Sequence, residues 1–139
     1  MAEYDLVSRL KVVPTIAVAS HDAIATGADV DTKGFESVMI ERTCGALGGG
    51  TAGFIVEHAD DDGAGSPDTY TAVADADLIG TEADLLAADT VDDGLVATLG
   101  YIGKKQWVRV KLTEDVTMTT CLLGVNVVLG NPRVVPTSQ

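Results

Sequence analysis

The stretch "QWVRVKL", residues 106–112, alternates without a break: Val108, Val110 and Leu112 fall on one side of an extended chain, and Trp107, Arg109 and Lys111 on the other. Successive side chains of a strand point to opposite faces, so this period of two predicts a half-buried β-strand. A longer strand is predicted at 119–129, "TTCLLGVNVVL", where Thr119, Cys121, Leu123, Val125, Val127 and Leu129 share a face that is apolar after its first member. Its other face mixes Thr120, Leu122, Gly124, Asn126 and Val128, which suits a strand covered on one side and in part on the other. "LVATLGYI" (95–102) alternates more weakly, with Leu95, Ala97, Leu99 and Tyr101 together, and "GKK" joins it to the Trp107 strand at hairpin length.

The first half supplies three more extended runs, "GFESVMIERT" (34–43), "GFIVEH" (53–58) and "DTYTAV" (68–73), each bounded by Gly, Pro or Asp. Between the first two, "CGALGGGTAG" (44–53) reads as a turn or loop because its glycines resist ordering. Only "GTEADLLAAD" (80–89) is helical in pattern: Thr81 is a natural N-cap, Asp84 stands three residues on, and Leu85 and Leu86 supply burial for one or two turns. Short strands at close spacing with one short helix predict an all-β fold, a jelly-roll-like β-sandwich of about seven or eight strands.

The chain has 139 residues, a length that suits one domain over 1–139 with a single core. Its apolar residues are 46% of the total but only 4% are aromatic, and there are 15 glycines, a mixture that favours short strands and tight turns. No run approaches the roughly 20 apolar residues that span a bilayer, and "MAEYDLVSRLK" is not a basic segment followed by an apolar one. We therefore expect synthesis in a cytoplasm and no membrane partner. Cys44 and Cys121 lie far apart with no ligand spacing around them, and both read as small buried apolar residues rather than a disulfide.

The net charge of −12 is concentrated. Residues 57–93 hold twelve acids and no Lys or Arg, while the rest of the chain holds nine acids and all nine cations. One region therefore carries a negative field, and binding to nucleic acid through phosphates is not expected. Within that segment "DDDG" (60–63) invites a metal or catalytic reading. A calcium loop spaces its acids at alternate positions so that they converge on one ion, whereas Asp60, Asp61 and Asp62 are adjacent and no closing Glu follows. A solvated turn is the better reading, with Gly63 free to take positive φ. Catalysis has little to work with: only His21 and His58 could act as imidazole bases, and no G-x-S-x-G surrounds a serine. His58 shares parity with Phe54 and Val56 and reads as a hydrogen-bonded residue at the margin of the core. We expect no catalytic residues, no metal site and no cofactor.

Contact surfaces are the alternative. "GKKQWVRVK" (103–111) gathers Lys104, Lys105, Arg109 and Lys111 beside the only tryptophan, which suits either an ordinary outer face or docking onto an acidic protein surface. The chain ends carry near-copies of one phrase, "KVVPT" (11–15) and "RVVPT" (133–137). Proline cannot donate to a ladder, so both read as edge or extended arm segments, with arms over about 1–15 and 131–139. Their valines pack either on their own sandwich or on a neighbouring subunit. The contact residues proposed on these grounds are Val12, Val13, Pro14, Trp107, Arg109, Lys111, Arg133, Val134 and Val135.

The ordered phrases "KVVPTIAVAS", "DTKGFESVMIE", "EHADDDG" leading into "YTAVADADLIG", "GYIGKKQWVRVKL" and "GNPRVVP" resemble the capsid decoration, or cement, proteins of tailed bacteriophages, over about Leu6 to Pro136. The resemblance implies a jelly-roll-like sandwich that oligomerises, as a dimer or trimer, on the outside of the shell and clamps neighbouring capsomers. It implies the major capsid protein as partner, an outer-surface location on the virion after synthesis in the bacterial host, and contact roles for the two terminal segments. It brings no catalytic residues. A rival reading is a carbohydrate-binding module of a virion spike or fibre with Trp107 or Tyr70 as sugar platform; a hydrolase using Asp60 to Asp62 is a third.

Overall fold

The structure, a computed structural model, describes residues 5–88 and 91–134. In chain order its strands are β1 (Lys11–His21), β2 (Ala25–Thr26), β3 (Val30–Asp31), β4 (Phe35–Leu47), β5 (Thr51–Ala59), β6 (Thr71–Ala72), β7 (Leu78–Ile79), β8 (Ala87–Ala88), β9 (Val96–Tyr101), β10 (Trp107–Val116) and β11 (Cys121–Pro132). One sheet runs β1-β11-β4-β9-β7; the other runs β2-β10-β5-β6, with β3 also on β10 and β8 also on β5. The strand pairings among the described residues are antiparallel. The chain passes repeatedly from one sheet to the other, and the first and last long strands lie side by side, a jelly-roll-like order.

The alternating faces of "QWVRVKL" and "TTCLLGVNVVL" hold. Val108, Val110 and Leu112 of β10 and Cys121, Leu123, Val125, Val127 and Leu129 of β11 are all buried and face one another with Ile40, Phe54, Val56 and Leu99 in a continuous core. Each such Val or Leu contributes about 1.5–3 kcal/mol by leaving water. Both cysteines are buried and free, as expected. The helical run at 80–89 is a single 3₁₀ turn, Glu82–Leu85, closed by a reciprocal capping box in which the Asp84 carboxylate accepts the Thr81 N–H at 2.7 Å. A second 3₁₀ turn at Asp75–Asp77 was not expected.

Four expectations are corrected. "GKK" does not make a hairpin, because β9 and β10 belong to different sheets. Residues 102–106 cross the sandwich, and the crossing is pinned at Tyr101, whose hydroxyl accepts the Lys105 N–H at 3.3 Å and bonds His58 of β5 at 3.0 Å. A hairpin and an inter-sheet arch present the same period of two to one core, so periodicity cannot separate them. The flexible segment 44–53 shrinks to a turn at 48–50: Cys44 and Leu47 pair with Leu123 and Cys121, which extends β4, and Gly50 turns the chain at φ +82°. "DTYTAV" yields only the two residues of β6. The segment at 11–15 is no free arm; it is the start of β1, with Val12 opposite Val128, Val13 opposite Val127 and Pro14 opposite Asn126.

β1 is nonetheless an edge strand, and Pro14 sits there as proline must. Two register breaks follow, between Pro14 and Ile16 and between Ile16 and Ala19. At the first, Thr15 turns inward, donating its hydroxyl to the Ala28 carbonyl at 2.9 Å and accepting the Val110 N–H at 3.2 Å. That one side chain stitches the edge of the five-stranded sheet to β10 of the other.

Candidate interaction surfaces

The outward face of the second sheet carries Trp107, Arg109 and Lys111, as predicted from parity, yet their polar groups are largely engaged within the chain. Arg109 donates to Glu57 at 2.7 Å, lies 3.9 Å from Asp29, and stacks its guanidinium 3.8 Å over the ring of Tyr70. Lys111 lies 4.0 Å from Glu57. The Trp107 indole donates to Asp61 at 3.1 Å, and that bond, more than any other influence, holds the Asp61 carboxyl below the usual range. The cations of this face are thus paired within the chain, while the buried Tyr70 hydroxyl has no hydrogen-bond partner among the described residues. Arg109 also covers one face of Tyr70, which removes that face as a sugar platform.

The aspartate run forms the turn expected of it, with Gly63 at φ +86°. Asp62 accepts backbone N–H groups of Ala64 and Ser66, Asp61 accepts that of Gly63, and Asp60 pairs with Lys105 at 3.3 Å. The adjacent carboxylates are thus spent on three separate tasks. Among the described residues no three His, Cys, Asp or Glu side chains group to hold a metal. His58 is buried, and burial, then the nearby Lys105, pushes its pKa down; its Nδ1 shares a 3.0 Å hydrogen bond with the Tyr101 hydroxyl.

The outward face of the five-stranded sheet is different. Its register sets Val12, Val128, Met39 and Gly100 side by side on β1, β11, β4 and β9, with Ile79 of β7 over Gly100. Val12 is 55% exposed, Met39 37% and Ile79 64%. A polar row follows, Pro14, Asn126, Glu41 and Thr98, in which Glu41 accepts from Asn126 at 3.0 Å and from the Thr43 hydroxyl. Beyond it stand Val18 against Gly124, Leu122 over Gly45, and Val96. Glu41 is the one charged side chain in these rows. Sandwich sheets usually turn polar residues to water, whereas this face exposes two groups of apolar side chains on either side of the polar row.

The residues chosen from the sequence therefore do not converge. Val12 lies on the apolar face, Val13 packs against the core, and Pro14 marks the sheet edge. Trp107, Arg109 and Lys111 lie on the opposite side of the sandwich. Arg133 bonds Glu36 at 2.5 Å near the end of β11, Val134 is exposed, and Val135 lies outside the described residues. Met39, Ile79, Val96, Leu122 and Val128 were not singled out. For Met39, Leu122 and Val128 the signal was apolar residues on both parities of "SVMIE" (37–41) and "CLLGVNVVL" (121–129), a pattern of strands apolar on two faces; Ile79 and Val96 lie outside these runs and carry no such signal.

No protein-family model matches the chain, and no curated protein or solved structure is detectably similar to it. No helix among the described residues is long and apolar enough to cross a membrane.

Proposed function

We propose that this is a non-enzymatic structural protein of a phage virion, which binds the outer surface of the capsid, together with further copies of itself, and stabilises contacts between capsomers. The observation that carries the reading is the uncovered apolar row Val12, Val128, Met39 and Ile79 across the five-stranded sheet. A shell offers the same surface many times over, and many modest apolar contacts sum to strong retention through avidity. The phrase-order resemblance to decoration proteins points the same way. The charged opposite face, its cations paired within the chain, suits exposure to water. Sedimentation of shells from the phage that encodes the chain, with and without added protein, tests the proposal. We expect co-sedimentation and a rise in the temperature at which shells disrupt; absence of both would sink it.

A further inference from the structure

We propose that a cleft at one end of the sandwich receives an acidic, partly apolar segment of polypeptide from the surface this protein binds. The inference rests on the capsid-binding reading above and adds the chemistry of the partner. The cleft, about 700 Å³, lies between the start of β4 and the β9–β10 crossing. Lys33, Lys104, Lys105 and Arg133 line it, against one carboxylate, Glu36. In the whole chain 21 acids face 9 cations, so the sign of the charge is reversed here. Lys105 and Arg133 already hold Asp60 and Glu36, but among the described residues no carboxylate lies within ion-pair distance of Lys33 or Lys104. Two cations thus stand ready at the mouth of a cleft.

The apolar lining decides what kind of anion fits. Phe35, Val38, Ile79, Tyr101 and Ile102 contribute to the walls, and Ile79 and Ile102 are 64% and 55% exposed. A small anion would satisfy the lysines and leave both isoleucines in water. A nucleic acid would bring a dense polyanion against a chain of net charge −12. An extended peptide with alternating acidic and apolar side chains meets both demands. Ile79 also ends the apolar row on the sheet face, so a partner seated on that row reaches the cleft without a break.

The test uses the full chain and a short fluorescein-labelled peptide of alternating glutamate and leucine, read by anisotropy. Wild type should bind it, and Lys33→Gln with Lys104→Gln should weaken binding about tenfold, as removal of complementary charges does. Binding should weaken further above about 0.15 M salt, where screening shortens to about 8 Å. A glutamate–serine peptide should bind less well than the leucine one. No binding by wild type, equal binding by the double variant, or displacement of the peptide by inorganic phosphate at matched ionic strength would each overturn the proposal. Shell sedimentation of the same two proteins separates the claims. Equal capture of both sinks the cleft and leaves the capsid reading standing; capture of neither, with the peptide result intact, does the reverse.

Discussion

Arg42 stands at a core position of β4, between Ile40 and Cys44 on the inward parity, and is only 2% exposed. Its guanidinium donates to the carbonyls of Leu85 at 3.0 Å and Leu86 at 3.2 Å and to the Cys44 sulfur at 2.8 Å, with Asp92 at 3.9 Å. It fastens the acidic segment to the sandwich. Arg42→Met should cost about 2–4 kcal/mol, since it leaves the Leu85 and Leu86 carbonyls without their donor, read as a shift of the urea midpoint. Arg42→Lys should recover only part of the loss, since an ammonium cannot span several carbonyls in a plane. The cue was present in "VMIERTC", where the arginine breaks an apolar parity, but nothing local named its partners more than forty residues away.

At the scale of elements, the strands whose two faces differ were legible from the sequence, because burial on one side writes itself as period two. Connections were not. The β9–β10 arch and the extension of β4 through Cys44 to Leu47 depend on which strand lies alongside, and β11 comes from the far end of the chain. Thr15 illustrates the point: in "KVVPTIAVAS" it is one more β-former, yet in the fold its hydroxyl joins two sheets. Thr15→Val keeps the shape and leaves the Val110 N–H and Ala28 carbonyl short of a partner. We expect a loss of about 1–3 kcal/mol by chemical denaturation, with faster hydrogen exchange at Val110.

For the whole molecule, the two outer faces differ in kind. One is charged, with its cations paired within the chain; the other exposes apolar side chains on either side of a polar row. Met39→Asp should therefore abolish capture by shells while shifting stability by no more than about 1 kcal/mol, because Met39 is already part exposed. Replacement of Asp60, Asp61 and Asp62 by Asn should leave capture intact in the same sedimentation assay. Asparagine keeps an acceptor oxygen for the Trp107 indole and the turn N–H groups, and Trp107 belongs to the other sheet.

By itself the sequence determined the all-β class, the inward faces of the two most regular strands, the capped turn at Thr81 and the concentration of charge in residues 57–93. These follow from local rules: side-chain period, capping chemistry and composition. Tertiary structure decided which strands became neighbours, and so which apolar residues were left uncovered. Met39 and Ile79 share a surface row only because β4, β9 and β7 lie together, and Lys33, Lys104 and Arg133 share a cleft only because three distant segments end at one pole. Adjacency of that kind is set by long-range pairing and packing in a common core, which residues near in sequence do not encode.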